Sequence, residues 1–351
     1  MNHQYYNVLG IMSGTSLDGI DIAHVALVRK ESWSFQIHRA ETLPYSSEIK
    51  QQLAEAITYS KEEVEKLNLK YTKYLAEKIL YFIDAHKIDK LVAVCSHGHT
   101  IFHQPQENYT LQIGNLPELA QLINQRVVCD YRVQDVALHG QGAPLVPIGD
   151  RLLFGAYDYC LNLGGFANMS FEQNTQRIAY DLCPVNVVLN HYALKLGKEY
   201  DAGGAFAKAG TVQNLVLEQL NSLDYYHQKA PKSLGIEWVN ATIFQILDQI
   251  ADTCDIIATF TEHVAVQIAR QLQPEKNLFI TGGGAFNTYL IDSISKHTTA
   301  KIIIPDAIIV ENKEALIFGL LGVLKLRNQN NCLSSVTGAD RDHSSGHIYV
   351  P

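Results

Sequence analysis

The feature that most restricts the fold is a strand, glycine turn, strand unit that occurs twice. Residues 8–12 and 21–28 read as short strands joined by Ser13-Gly14-Thr15-Ser16-Leu17-Asp18-Gly19, with a third strand over 33–41. The stretch 160–171 repeats the style, with Gly164-Gly165 between two apolar runs. Between the two units, residues 62–82 carry Val64, Leu67, Tyr71, Leu75, Ile79 and Phe82 at steps of three and four, one apolar stripe on a helix. The runs 91–95 and 126–129 are apolar and bounded by polar turns, as buried strands are. After the second unit, strand patterns at 178–180, 278–280 and 301–304 alternate with helical patterns at 185–196, 241–250, 256–272 and 313–326. The expectation is an α/β protein of two related lobes, the first over 1–133 plus 333–351 and the second over 134–332.

Length agrees with two lobes, because 351 residues exceed the roughly 250–300 at which single cores stop growing. The balance of 28 basic against 36 acidic residues gives a net charge of −8, with no run of Lys and Arg. That argues against nucleic acid or an anionic membrane as partner, but not against a phosphorylated small molecule, which backbone N–H groups can hold. The N-terminus shows no basic segment followed by an apolar one and a cleavage site, and the longest apolar stretches, such as 315–324, fall short of the ~20 residues that span a bilayer. The reading is a soluble cytoplasmic protein. Six cysteines are scattered without a C-x-x-C spacing, which suits reduced core thiols.

Three glycine segments carry the chemistry. In the first, Gly14, Thr15, Ser16, Leu17, Asp18, Gly19, Ile20 and Asp21 bring exposed amides, hydroxyls and carboxylates together. Glycine permits positive φ and close backbone approach, so the turn can present N–H groups to a phosphate, and Asp18 or Asp21 can hold Mg2+. An ordinary hairpin loop would use the same residues. Gly164 and Gly165 form the second turn. In the third segment an apolar strand ends in Gly282-Gly283-Gly284 before a helix, more glycine than one turn requires. Neither a Walker sequence nor G-x-G-x-x-G occurs, which weakens P-loop and dinucleotide readings. His97, His99 and His103 lie close in sequence, but zinc needs a fourth ligand that the sequence does not identify, so contacts to a small ligand or core hydrogen bonds are preferred.

The segments Met12-Ser13-Gly14-Thr15-Ser16-Leu17-Asp18-Gly19-Ile20-Asp21, Ser96-His97-Gly98-His99-Thr100, Gly140-Gln141-Gly142-Ala143-Pro144 and Asn162-Leu163-Gly164-Gly165-Phe166-Ala167-Asn168 stand in an order that resembles the anhydro-N-acetylmuramic acid kinase family. Pro231-Lys232-Ser233, Gly282-Gly283-Gly284-Ala285-Phe286-Asn287 and Ser335-Val336-Thr337-Gly338-Ala339 extend the likeness through nearly the whole chain. The resemblance implies the two-lobed fold of the acetate and sugar kinase, heat-shock-70 and actin superfamily, with ATP in an interlobe cleft. It implies opening of a 1,6-anhydro sugar by water and phosphorylation of O6 in cell-wall recycling. By the same likeness Gly14 to Asp21 is the first phosphate loop, Gly164 and Gly165 belong to the second, and Gly282 to Gly284 lie beside adenosine. Asp181 matches the catalytic aspartate, although from the sequence alone an N-cap or turn residue before a helix at Val185 is the favoured reading, which the resemblance reverses. His97, Arg132, Asp135, Gln141 and Glu314 fall in stretches that match the sugar side, Glu314 reading otherwise as a first-turn acid and Arg132 with Asp135 as a structural ion pair. The tail over 337–350 is expected to pack on the first lobe.

Departures from the family pattern are Leu182-Cys183-Pro184-Val185 beside the aspartate, His139 for a glycine, Ile236 for an arginine, Glu311 for an aspartate and Gly319 for an alanine. They gather on the sugar side, which leaves a related sugar as an alternative substrate. A chaperone-like ATPase and a nucleotide-free sugar hydrolase using a carboxylate pair are the readings from other classes. The expected partners are ATP with Mg2+ and a small sugar, with a homodimer as the candidate assembly.

Overall fold

The computed structural model describes residues 4–14 and 16–351, so Thr15 of the first glycine turn lies outside the described residues. The chain divides into two compact units, residues 1–153 with 312–351 and residues 154–311.

In the first unit, β1 (Gln4–Ser13), β2 (Gly19–Arg29) and β3 (Trp33–Pro44) form an antiparallel meander, Val8 opposite Val25 and Ile22 opposite Glu41. β4 (Ala93–Gln104) adds parallel to the free side of β1, β5 (Tyr109–Ile113) folds back on β4, and β6 (Val127–Cys129) lies parallel to β4. The helix Lys61–Ala85 covers this sheet. Ser60 and Glu63 close a capping box at its start, and all six stripe residues from Val64 to Phe82 are buried.

The second unit repeats the plan. β7 (Tyr159–Leu163), β8 (Phe166–Gln173) and β9 (Gln176–Pro184) form the meander, and β10 (Asn277–Thr281) and β11 (Lys301–Ile303) add in parallel beside β7. The strand order β9-β8-β7-β10-β11 reproduces β3-β2-β1-β4-β6 in sequence and in direction. The two glycine hairpins are therefore the same turn of a duplicated unit, between its first and second strands.

The unit boundaries fall after Leu153 and Glu311, whereas the sequence reading set them after 133 and 332. Packing explains where the intervening residues go. The helix Pro147–Leu153 sits so close to the helix Ala307–Leu326 that a Cβ on Gly149 would lie 2.5 Å from Ile317. A Cβ on Gly10 of β1 would lie 1.9 Å from the Ala315 carbonyl, so strand and helix touch backbone to backbone. Asn312, at φ −117° and ψ 16°, breaks the regular backbone of that helix where the division falls. The tail ends in β12 (His347–Tyr349), antiparallel to β6, which holds the C-terminus in the first unit. Among the described residues no helix is long and apolar enough to cross a membrane.

Candidate active site

The predicted residues divide into two groups, one per unit. In the first unit the β1–β2 turn spans only a few residues, and its Leu17 N–H donates to the Gly14 carbonyl at 3.4 Å. The positive φ expected of the turn's glycines falls instead on Leu17, at 60°, whose side chain packs against the core of this unit. A leucine tolerates that strained backbone because burial of its side chain offsets the cost. Gly19 is required for another reason: a Cβ there would meet the Leu43 carbonyl at 2.6 Å. Gly14 has no such neighbour, its nearest contact being Ser16 Oγ at 3.5 Å. Ser16 and Asp18 are exposed, Ile20 is buried, and Asp21 accepts a hydrogen bond from Thr42 Oγ1 at 2.6 Å.

Beneath this turn lies a polar network that sequence reasoning did not assemble. Buried Ser13 receives Tyr71 at 2.9 Å, lies 2.8 Å from His99 Nδ1 and bonds the Tyr45 hydroxyl. Burial pushes His99 down to about 4, so its ring is neutral at physiological pH. His97 is also held neutral, well below the ordinary value, mainly by burial and secondly by the Arg132 charge. The Arg132 Nε donates to its Nε2 at 2.8 Å, which places the His97 proton on Nδ1, facing the Gly98 carbonyl at 2.8 Å. Both His97 nitrogens are thus committed within the protein.

Arg132 also donates to the Gly142 carbonyl at 2.6 Å. Asp135 is fully buried: one oxygen accepts from Gly142 N at 2.7 Å and the other from Thr337 Oγ1 at 2.8 Å. It anchors the 140–142 loop and the tail, and a Cβ on Gly140 would lie 2.2 Å from it. Gln141 is exposed at the crest of that loop, its N–H bonded to the Thr337 carbonyl at 2.8 Å. Glu314 is half-buried, and its carboxyl is raised above the usual range by burial and by Asp21, against the pull of Arg132 and Lys313. His139, standing where a glycine was expected, has φ 64°, the left-handed region that glycine occupies freely.

In the second unit Asp181 lies inside β9, opposite Asn168 of β8. The helix that follows, Asn186–Lys195, takes Val185 as its N-cap without a side-chain cap. Asp181 is therefore no cap. One of its oxygens accepts from Asn168 Nδ2, the other from Leu234 N at 2.8 Å, and its carbonyl accepts from Tyr225 at 2.6 Å. Burial raises its carboxyl, while the bonds from Leu234 and Asn168 favour the charged form. Lys232 donates to the Tyr225 carbonyl at 3.0 Å and lies 4.4 Å from that ring's centroid. No residue over 182–186 has positive φ, as the loss of the family's glycines there requires.

Gly164 and Gly165 turn β7 into β8, and their carbonyls accept from the first N–H groups of the next helix, Val185 N to Gly165 O at 2.8 Å and Asn186 N to Gly164 O at 3.3 Å. Gly282, at φ 83°, follows the parallel neighbour of β7, and a Cβ there would meet Asn162 Oδ1 at 2.6 Å. One on Gly284 would meet Leu163 at 2.7 Å, whereas at Gly283 nothing lies within 4 Å. The second and third glycine segments thus form one backbone surface at the ends of β7 and β10. Residues 201–204 join it, with Thr288 Oγ1 bonded to the Gly203 carbonyl at 3.1 Å. The Gly203-Gly204 pair was a visible signal for this element.

The profile of the family described as "Anhydro-N-acetylmuramic acid kinase" matches residues 6–351. The protein of that name from Saccharophagus degradans is 34% identical over 98% of both chains. The one from Photobacterium profundum is 32% identical over 97% of this chain and 98% of its own, and that from Vibrio cholerae 31% identical over 98% of each. The chain belongs to the anhydro-N-acetylmuramic acid kinase family. Membership accords with the duplicated α/β unit and with three glycine segments at strand ends. Asn168, Tyr225, Lys232 and Leu234 surround Asp181 and were missed as individual residues, because only folding brings β8 and the 225–234 segment to β9.

Proposed function

We propose that the protein uses ATP and water to convert anhydro-N-acetylmuramic acid into N-acetylmuramic acid 6-phosphate and ADP, a step of cell-wall recycling. The observation that carries this reading is the placement of Asp181: a half-buried carboxylate inside a strand, held by two donors and not used as a helix cap. The anhydro sugar has no free 6-hydroxyl. Water therefore attacks C1, the C1–O6 bond breaks, and O6 takes the γ-phosphoryl group as its bond to ADP breaks.

Asp181 is the base that removes the proton from the attacking water. Partial burial raises its basicity, while the bonds from the Leu234 N–H and Asn168 favour the charged form and aim it. The Gly14 to Asp21 turn and the Gly164-Gly165 turn hold phosphate through backbone N–H groups, and the Gly282 to Gly284 surface takes the flat adenosine. Support comes from Gly14 and Gly283, where the protein's own packing leaves room for a side chain that is nevertheless absent. Asp18 and Asp21 offer hard carboxylate oxygens suited to Mg2+, which when bound would neutralise phosphate charge. On the sugar side, Gln141, Arg132 and Glu314 face the substrate, while His97 and Asp135 hold Arg132 and the 140–142 loop in place.

The test is incubation with Mg-ATP and anhydro-N-acetylmuramic acid in ¹⁸O water. The expected product gains one phosphoryl group and one labelled oxygen at C1. Phosphorylation without label would point to an ordinary sugar kinase, and ATP hydrolysis indifferent to sugar would overturn the reading.

A further inference from the structure

Cys332, His343 and Asp135 form a buried cluster in the first unit, and the reaction above gives a role only to Asp135, as the anchor of the 140–142 loop. Cys332 and His343 face each other across an isolated antiparallel bridge, with Cys332 N to His343 O at 3.1 Å and His343 N to Cys332 O at 3.3 Å. Such a hydrogen-bonded pair puts both side chains on one face with little freedom. Cys332 is 1% exposed and His343 5%. Asp135 approaches from the helix Val133–Ala137, and the thiol sulfur, a ring nitrogen and a carboxylate oxygen lie within 4.8 Å of one another.

The protons decide what this cluster wants. His343 Nδ1 lies 3.1 Å from the Arg341 carbonyl, which can only accept, so Nδ1 carries a hydrogen. In a neutral ring Nε2 then bears a lone pair. It makes no hydrogen bond, and 3.5 Å away lies Asp135 Oδ1, another acceptor. Two acceptors facing each other in a dry interior repel unless a positive charge stands between them. A sulfur on the third side selects which charge.

We propose that Cys332, His343 and Asp135 supply three ligands to a thiophilic divalent cation of the zinc class, with a water in the fourth position. The ligand types are those of zinc, and thiolate disfavours magnesium or calcium. On binding, the Cys332 thiol releases its proton to solvent and bonds the metal as thiolate, so one thiolate and one carboxylate balance the double charge. Burial is the main influence on the Cys332 thiol and pushes it up, as do Asp135 and Asp342, while Arg132 and the bond with Ser345 pull the other way, so the thiolate forms only with the metal. A tetrahedron at zinc bond lengths spaces its ligands roughly 3.3–3.8 Å apart, a spacing the nitrogen and oxygen already have. The outer contacts are in place as well: the His343 Nδ1–H meets a backbone carbonyl, and Thr337 Oγ1 donates to Asp135 Oδ1 at 2.8 Å. Because Asp135 also holds Gly142 N, the bound ion would clamp the tail to the loop that carries Gln141.

The test treats the full chain with chelator and titrates it with Co2+ and then Zn2+. The wild-type chain is expected to bind one equivalent, to show a thiolate-to-cobalt charge-transfer band, and to gain several degrees in thermal midpoint. Cys332→Ser should abolish the band, and His343→Gln should weaken binding roughly tenfold or more. No tight uptake by the wild-type chain, a measurement independent of how the variants fold, overturns the proposal. So does a band that survives Cys332→Ser, or a protonated His343 ring at neutral pH with no metal taken up, which would make the cluster a His–Asp ion pair.

Discussion

The two glycine hairpins occupy the same position in a duplicated unit yet are held in opposite ways. The first is supported by side chains: Ser13 just before the turn is gripped by Tyr45, Tyr71 and His99. The second is supported by backbone, its two glycine carbonyls accepting from the start of the following helix. The first turn carries Ser16 and Asp18 outward, whereas the second presents no side chain. Duplication preserved the turn's place between strands and left each copy free to find its own anchor. A side-chain anchor can be titrated or deleted, but a backbone anchor yields only to a change of glycine or of the helix start.

The largest effect separating the units is expected at Asp181. Asp181→Asn should lower turnover by roughly 10² to 10⁴ with ATP binding retained, as measured by steady-state kinetics and nucleotide titration. Unchanged sugar-dependent ADP release would remove the assignment. Within the first hairpin, Gly14 and Gly19 should part company. Gly19→Ala drives a Cβ against the Leu43 carbonyl and should cost about 1–3 kcal/mol in denaturant unfolding. Gly14→Ala meets only Ser16, at 3.5 Å or more, so stability should hold while KM for ATP rises about tenfold or more. Equal losses of stability in both variants would mean that the free space at Gly14 is no mark of a ligand.

A smaller effect distinguishes the anchors by pH. Free histidine titrates near 6.5, while burial holds His99 at about 4, so the unfolded chain binds more protons between these values. The stability due to neutral His99 is complete above about pH 6.5 and is lost as pH falls toward 4, on the order of 1–3 kcal/mol. His99→Gln should flatten that part of the unfolding profile. His263, lowered to about 3 in the second unit, should keep its own acid dependence in that variant. The smallest change is expected at His139. At φ 64° a glycine is less strained, so His139→Gly should stabilise by roughly 0.5–1 kcal/mol, less what the 3.0 Å contact to Asp340 supplies. A fall in thermal midpoint would show that the contact outweighs the strain.

The sequence by itself determined the duplicated α/β plan, the helical stripe from Val64 to Phe82 and the three glycine segments. Periodicity and turn composition act between near neighbours, and the chain states them directly. Asp181 was legible as a carboxylate near a strand end, but only the course of β9 shows that it does not cap the next helix. Tertiary structure alone decided that His97 and Asp135 spend their polar atoms on Arg132 and a loop, that Leu17 rather than a glycine takes the left-handed turn, and that Gly10 admits a helix backbone. It also gathered Asp135 with Cys332 and His343, far apart along the chain. The physical reason is common to all of these. A side chain's chemistry is fixed by the donors, charges and volume around it, and those come from segments whose approach no local pattern encodes.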